Sequence, residues 1–348
     1  MQTCLNWKLL SASSVVVLLS VYSAHPTLAQ TVPLEAAKQK LAEGQKAFDS
    51  GKFDEALAAY SESVKIAPQY DQAYYRRAIL LYQQQRRAEA IADFSKVIEL
   101  DPKNADAYYR RGLGHISLGG QENYDKFFAD EGKAIELNPD FLFAYKFRAL
   151  TYVSIGKFDA AIADYNQVIR LEPGSAVNYL NRATAYYDKR NPESFEMALK
   201  DLAQAALLDP KNVPVYALRA QTYSQLGNRV AALADCDKVA ALRPEGPDSF
   251  TWRGTVFFNL KEYLGAAQAY EQAIAVTPKN SLSHLFAGVA YALSHQDDKA
   301  VPLLNAGIAL GTKEDARRVL RFLEYTTKKD PGSQVSDRVL DLLRKAVM

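Results

Sequence analysis

The fold is decided by residues 145–173, YKFRALTYVSIGKFDAAIADYNQVIRLEP, because the rest of the chain repeats this stretch. It has two amphipathic halves. Tyr145 and Tyr152 lie on one face of a predicted first helix, and Ala161 and Tyr165 lie on one face of a second. A turn that contains glycine separates the halves, and a proline closes the unit because a helix cannot continue through it. The stretch therefore predicts a helical hairpin.

Prolines set the register of the repeat. Their successive residue numbers differ by 34 or 37, and they are Pro68, Pro102, Pro139, Pro173, Pro210, Pro244 and Pro278. Alanine stands twelve residues before six of them, with Phe127 as the exception. Aromatic residues open the first helix of most units, as Tyr74 and Tyr108 do. A fixed period of this size indicates stacked structural units.

This pattern of aromatic, small residue, aromatic, alanine and closing proline resembles the tetratricopeptide repeat family. The resemblance implies an all-α, right-handed α-solenoid of stacked antiparallel helix hairpins over residues 34–312, with C-terminal capping helices in 313–348. It implies about eight repeats, with expected bounds 37–70, 71–104, 105–141, 142–175, 176–212, 213–246, 247–280 and 281–312. One hairpin leaves apolar surface uncovered, so stability is expected to belong to the array.

Charged residues recur at a fixed spacing within the repeats. An arginine on the first helix precedes an aspartate by 16 or 19 residues, which predicts an ion pair between the two helices. The predicted pairs are Arg77 with Asp93, Arg111 with Asp130, Arg148 with Asp164, Arg182 with Asp201 and Arg219 with Asp235. Arg253 faces Ala269 and is expected to lack such a partner. The longer repeats are expected to carry extra residues between their two helices, in Gly119 to Lys126 and in Asp188 to Glu193.

A second stripe on each first helix is offset from the packing face. In the family such residues line a concave groove, and the stripe leans apolar and aromatic, which suits recognition of a peptide or helix. The predicted groove residues are Tyr75, Ile79, Tyr82, Tyr109, Leu113, Ile116, Phe143, Lys146, Leu150, Leu180, Asn181, Tyr187 and Gln221. Some members of the family hold a C-terminal carboxylate with Lys and Asn side chains. Here Leu150 and Leu218 stand where further polar partners are needed, so this activity is not expected.

The N-terminus indicates export. An apolar run, Leu9 to Ala24, follows one basic residue and precedes Thr27-Leu28-Ala29, the pattern of a secretory signal with cleavage after Ala29. The run is shorter than the roughly 20 residues of a comfortable membrane span. Residues 1–29 are thus expected to be a cleaved signal, and the protein to be periplasmic, lumenal or secreted. An uncleaved segment that anchors the protein to a membrane is the alternative.

Composition and motifs argue against catalysis. The formal net charge is +2, which gives no global field for nucleic acid. Only Cys4 and Cys236 are present, so no internal disulfide is expected in the mature chain, and Cys236 is expected to be buried and inert. No pair of Cys or His has zinc spacing, and no phosphate loop or nucleophile motif is present. No enzyme, metal or cofactor is predicted.

Three functions remain open at this point. The first is an exported, non-catalytic adaptor that binds a peptide or partner-protein segment in the groove and assists complex assembly. The second is a structural or oligomerising scaffold that acts through its convex face and repeat edges. The third is a regulatory subunit of a separate enzyme.

Overall fold

The computed structural model describes residues 28–243, 246–329 and 334–348. Within these residues the chain forms eighteen α-helices and no strand, so the predicted all-α class is confirmed. The helices are α1 (Leu28–Asp49), α2 (Phe53–Ile66), α3 (Asp71–Gln83), α4 (Arg87–Leu100), α5 (Ala105–Leu118), α6 (Gln121–Leu137), α7 (Leu142–Ser154), α8 (Phe158–Leu171), α9 (Ala176–Asp188), α10 (Pro192–Leu208), α11 (Val213–Gln225), α12 (Arg229–Leu242), α13 (Pro247–Asn259), α14 (Tyr263–Val276), α15 (Ser281–Leu293), α16 (Asp297–Leu310), α17 (Lys313–Lys329) and α18 (Asp337–Val347). Nearly all of the predicted signal segment 1–29 lies outside the described residues, as does Pro244.

The chain divides into two compact units, Met1–Ala144 and Tyr145–Met348. In the first, α1 pairs with α2, α3 with α4 and α5 with α6, and each hairpin packs on the next. In the second, the hairpins run from α9 to α16 in the same manner. Among the described helices, none has both the length and the apolar character needed to cross a bilayer.

Each hairpin turns at a residue with positive φ. These residues are Gly51, Gln85, Gly119, Gly156, Arg190, Gly227, Lys261 and His295. A left-handed residue after a helix lets the chain reverse sharply, and glycine adopts this conformation without steric cost. Four of the eight turns nevertheless use a residue with a side chain. A positive φ is therefore common to the eight turns, although the α5–α6 turn uses two successive glycines, Gly119 and Gly120, with positive φ and extended ψ.

The extra residues of the longer repeats lie in helices, so the prediction of lengthened turns is wrong. Second helices such as α4 and α8 have 14 residues, whereas α6 and α10 have 17. Only Gly119 and Gly120 separate α5 from α6. Three added residues amount to a little less than one helical turn of 3.6 residues. The insertions therefore extend the N-terminal ends of α6 and α10.

Small residues allow the two helices of a hairpin to approach closely. A Cβ atom at Gly44 would lie 2.5 Å from the ring of Tyr60, and one at Gly288 would lie 2.7 Å from Leu304. Both partner side chains are buried. A larger residue at either glycine would force the helices apart, and this explains the small residue at that repeat position.

The predicted C-terminal cap is present. Val339 and Leu343 of α18 are buried in one apolar cluster with Leu285, Val289 and Leu293 of α15. Helix α17 contributes Val319 and Leu323 to the same cluster. The two helices cover apolar surface of α15 that would otherwise face solvent.

Candidate functional site

A surface cavity of about 160 Å³ lies between α3, α4 and α5 in the first unit. It is called the α3–α5 cavity here, and its lining residues are Ile79, Tyr82, Gln83, Phe94, Arg110 and Leu113. Three of them, Ile79, Tyr82 and Leu113, are predicted groove residues. The lining is mainly apolar, with one guanidinium group and one amide.

Arg110 ties one wall of the cavity to α3. Its Nε atom lies 2.5 Å from Asp106 Oδ2 and 3.0 Å from the hydroxyl oxygen of Tyr75. The Tyr75 hydroxyl donates to the same carboxylate oxygen. The Tyr75 ring also meets the ring of Phe94 edge-on, with centroids 6.0 Å apart. Burial and the bond to Asp106 raise the pKa of Tyr75. Tyr75 thus supports the wall, and its hydroxyl is engaged within the protein.

Arg87 holds the ring of Tyr82 in place. The guanidinium carbon lies 3.7 Å from the ring centroid, a close cation–π contact. The same guanidinium donates to the backbone carbonyl oxygen of Tyr82 and, at 2.8 Å, to Gln85 Oε1. The Tyr82 side chain is therefore fixed from one side, and the cavity lies beside it.

Two further predicted groove residues of the first unit, Tyr109 and Ile116, do not line the cavity. Tyr109 is 8% exposed and packs against Phe141, with ring centroids 5.1 Å apart. Burial raises the pKa of Tyr109 to about 12. Ile116 is half-buried. Tyr109 therefore belongs to the core of the unit and offers little surface to a partner.

The predicted groove residues of the remaining first helices are scattered. On α7, Phe143 and Leu150 are exposed. Lys146 Nζ lies 2.6 Å from Glu172 Oε2, so its charge is met within the second unit. Tyr187 packs on Phe195 at 5.5 Å between ring centroids, and burial raises its pKa. The other predicted residues, which are half-buried, are Leu180, Asn181 and Gln221.

An aromatic cluster lies at the C-terminal end of the second unit. Phe322 of α17 meets Phe258 of α13 and Phe286 of α15, with centroids 5.4 Å and 6.1 Å away. Tyr270 of α14 stacks on Phe286 at 5.7 Å. These four residues are called the Phe322 cluster here.

All five predicted arginine–aspartate pairs are close in the structure. The shortest distances are 2.7 Å for Arg77–Asp93, 2.6 Å for Arg111–Asp130, 2.6 Å for Arg148–Asp164, 2.6 Å for Arg182–Asp201 and 2.7 Å for Arg219–Asp235. Each arginine donates from Nε and Nη2 to the two carboxylate oxygens. All five aspartates are buried. Such bidentate pairs fix the register of the two helices.

Several of these arginines also reach back to the second helix of the preceding hairpin. Arg77 Nη1 lies 3.4 Å from Ser61 Oγ, and Arg182 Nη1 lies 2.7 Å from Asn166 Oδ1. Arg253, which faces Ala269 in its own repeat, also reaches back in this way, since its Nη1 lies 3.1 Å from Asp237 Oδ1 on α12. In repeats that have both acceptors, the arginine therefore links its own helix to the second helix of its repeat and to the second helix of the preceding repeat.

The cysteine and histidine residues that the structure describes form no reactive site. Burial raises the pKa of Cys236 to about 12, as expected of an inert thiol. His115 is largely buried 4.0 Å from Asp130 Oδ2, and burial lowers its pKa. Within residues 28–243, 246–329 and 334–348, no group of three or more His, Cys, Asp or Glu side chains could hold a metal ion.

The sequence analysis missed Arg110, Asp106 and Phe322. Asp106 and Arg110 stand four residues apart on α5, a spacing that places side chains side by side on a helix. Phe322 lies outside the repeat pattern, so its position offered no signal. The repeat register could have indicated Arg110, because it stands two residues after Tyr108 as the predicted groove residue Asn181 stands two residues after Tyr179.

Comparisons with known proteins agree with this architecture. A sequence profile described as "Tetratricopeptide repeat" matches residues 41–105, 75–119, 217–281 and 253–316. A second, described as "TPR repeat", matches residues 149–189. The solved C-terminal part of a TPR repeat-containing protein from Cytophaga hutchinsonii superposes with a TM-score of 0.58 at 15% identity, covering 70% of this chain and 97% of that one.

Two curated relatives share parts of the sequence. Serine/threonine-protein phosphatase 5 of Mus musculus is 37% identical over 92 residues, which is 26% of this chain and 18% of that protein. The Hsp70-Hsp90 organizing protein of Triticum aestivum is 32% identical over 88 residues, or 25% of this chain and 15% of that protein. The chain therefore spans less than a fifth of the length of either relative.

Proposed function

Because the chain belongs to the tetratricopeptide repeat family, we propose that it is a non-catalytic adaptor that binds a segment of a partner protein at the α3–α5 cavity. The observation that carries this proposal is the cavity itself, a concave, mainly apolar surface with a few polar groups at its wall. Tyr82, which lines the cavity, and Tyr75, which supports its wall, are each held by an arginine. A preorganised surface loses little entropy when it binds a partner.

The relatives support the adaptor class. The wheat relative is named as a protein that organises Hsp70 and Hsp90, and the shared sequence is a short stretch of it. Stacked helical repeats in general create extended surfaces that suit binding of other chains.

Export is part of the same proposal. The basic residue, apolar run and small residues of residues 1–29 support cleavage after Ala29. N-terminal sequencing of the protein recovered outside the cytoplasm is expected to begin at Gln30. An N-terminus at Met1 on a membrane-bound protein would favour the anchored alternative.

Site-specific crosslinking tests the binding surface. A photoreactive benzoylphenylalanine replaces Gln72, which is exposed on α3 beside Tyr75 and Arg76 and does not line the cavity, and a matched control replaces the exposed Val230 on α12. In cells that produce the protein, the probe at residue 72 is expected to crosslink a discrete partner that the probe at residue 230 does not. The crosslink should disappear when Leu113→Trp fills the cavity.

The crosslinking result also separates the proposed functions. A partner captured equally from both probe positions would contradict the cavity as the binding surface. A crosslinked product at twice the mass of the chain, with a concentration-dependent oligomer in light scattering, would favour the oligomerising scaffold instead. Circular dichroism of each variant verifies that the helices remain intact.

A further inference from the structure

The α3–α5 cavity has an internal counterpart at the C-terminal end of the chain. The turn residues Gln85 and Lys261 define the register, and Tyr82 and Phe258 each stand three residues before them. In that register the cavity residues Ile79, Tyr82, Gln83, Phe94, Arg110 and Leu113 correspond to Thr255, Phe258, Asn259, Tyr270, Phe286 and Val289. Three members of the Phe322 cluster therefore stand at positions that line the cavity in the first unit.

An aromatic side chain from outside the repeats lies against the counterpart and stays 36% exposed. The ring of Phe322 on α17 meets Phe258 edge-on at an interplanar angle of 75° and meets Phe286 at 77°. Edge-to-face contacts at 5–6 Å are the favourable geometry for aromatic pairs. At this repeat position the protein thus shows what the surface accepts, namely an aromatic side chain carried on a helix.

The size of the open cavity fits the same kind of occupant. A cavity of about 150 Å³ lined by aliphatic and aromatic side chains holds one benzene molecule. The α3–α5 cavity measures about 160 Å³ and has a similar lining. Tyr82, Phe94, Ile79 and Leu113 can therefore surround one phenyl ring.

Charge distinguishes the cavity from its counterpart. Arg110 stands where the counterpart has Phe286, and Arg87 lies over Tyr82 beside it. Arg76 lies on the adjoining surface near Asp71 and Asp106, and Arg76 and Arg87 have no carboxylate partner among the described residues. Only Asp106 is paired with one of these arginines. The cavity and its adjoining surface together carry three guanidinium groups and two carboxylates, those of Asp71 and Asp106, so they complement negative charge.

We propose that the α3–α5 cavity binds a partner segment in which one aromatic side chain fills the cavity and a neighbouring carboxylate faces Arg76, Arg87 and Arg110. The inference rests on the proposed function and deepens it, because it names the chemistry of the bound segment. A guanidinium above the wall also favours an aromatic ring over an aliphatic side chain, through cation–π attraction.

Selection from a random peptide library displayed on phage, with the full chain immobilised, tests this chemistry. The selected peptides are expected to combine Phe, Tyr or Trp with Asp or Glu. In synthetic copies, changing the aromatic residue to Ala should weaken binding about 10- to 100-fold, since that change removes the burial of one large apolar side chain. Binding should also weaken as salt rises, because exposed charges are screened.

Protein variants give the controls. Leu113→Trp fills the cavity and should abolish selection of these peptides, whereas Val230→Trp adds the same side chain on exposed α12 and should leave binding unchanged. If Leu113→Trp does not fold, Gln83→Trp obstructs the rim from an exposed position. Arg76→Gln should reduce the preference for acidic peptides without altering the preference for aromatic ones.

The outcomes separate this inference from the proposed function. Peptides that depend on the cavity but show no aromatic preference would overturn the inference and leave the proposed function standing. Peptides that bind the wild type, Leu113→Trp and Gln83→Trp equally would overturn both. Loss of binding in the two cavity variants, together with aromatic and acidic enrichment, supports both.

Discussion

The α3–α5 cavity and the Phe322 cluster are built at the same positions of the repeat, and they differ in what covers them. At the cavity, Tyr82 is held by Arg87 and the space beside it is open. At the cluster, Phe258 is covered by Phe322 of α17. The comparison shows that one repeat surface is covered by the chain itself at the cluster and left open at the cavity, where we propose that it binds a partner.

Removing the arginine that forms the interhelical ion pair should have the largest effect on stability, and the effect should differ between the two regions. Arg77→Ala on α3 leaves the carboxylate of Asp93, which is 6% exposed, without its cation, and about 3–5 kcal/mol of unfolding free energy should be lost. Arg253→Ala on α13 leaves an aspartate, Asp237, whose side chain is 68% exposed, so under about 1 kcal/mol should be lost. Urea unfolding measures both. Equal losses would mean that burial of the carboxylate does not set the cost.

Leucine truncation compares the covered and uncovered surfaces directly. Leu323→Ala on α17 removes a fully buried side chain from the apolar cluster and should cost about 3 kcal/mol, within the range for core leucines. Leu113→Ala at the open cavity removes a half-buried side chain and should cost about 1 kcal/mol. The same urea titrations measure the difference. A larger loss at Leu113 would show that the cavity is part of the core.

Turn substitutions should give smaller effects that are alike in both regions. Gln85 and Lys261 have φ of 64° and 60°, so Gln85→Gly and Lys261→Gly should each relieve strain and stabilise by about 0.5 kcal/mol after the entropy of glycine is counted. The matched control is Gly227→Ala, which imposes a Cβ at φ 73° and should cost about 1 kcal/mol. Thermal unfolding reports each change. Opposite signs at the two turns would show that the turns differ between the regions.

A pH response is expected at α5, because His115 there corresponds to Tyr291 in the counterpart on α15. His115 follows the opening Tyr108 by seven residues, as Tyr291 follows His284. Burial lowers the pKa of His115 below 6.5. Asp130 acts in the opposite direction and raises this pKa, whereas Arg111 and Lys126 lower it further. The unfolded chain therefore binds more protons, and stability is lost as pH falls through 6.5.

His115→Tyr tests this response with a residue that other repeats use at the position, such as Tyr152. The melting temperature of the wild type should fall further than that of the variant between pH 7.5 and 5.5, a window chosen around the ordinary histidine pKa of about 6.5. Parallel pH curves for the two proteins would remove His115 as the cause.

The hairpins and their ion pairs could be predicted because each rests on a local spacing. The prolines, the small residues and the arginine–aspartate spacing all repeat, so a copy with an atypical residue can still be identified from the copies that keep the pattern. The partner of Arg253 was not found, since only residues that follow each arginine were considered, and Asp237 precedes it. The extended helices α6 and α10 were not found either, because a turn residue with positive φ fixes the hairpin and leaves added residues to the helix.

The accessibility of the groove residues could not be predicted from spacing. Tyr75 and Tyr109 are one position past the opening aromatics of successive first helices, yet one supports a cavity wall through Asp106 and the other is buried against Phe141. Whether each tyrosine is accessible depends on neighbouring residues that differ between repeats. The closure of the C-terminal counterpart by Phe322 depends on a helix outside the repeat, whose packing has no periodic signal.

The contact that the ion-pair arginines make with the preceding second helix bears on how the second unit unfolds locally. Arg182 and Arg253 reach an acceptor on the preceding second helix, but Arg219 has Ala203 at the corresponding position and no side-chain acceptor there. In a quasi-one-dimensional array, cooperative units separate at weakened interfaces, and the α10–α11 junction lacks a bond that the α8–α9 and α12–α13 junctions have. Amide hydrogen exchange should therefore reveal two cooperative unfolding units, or foldons, that meet at the α10–α11 junction. Local opening of one unit should have little effect on amide exchange in the other.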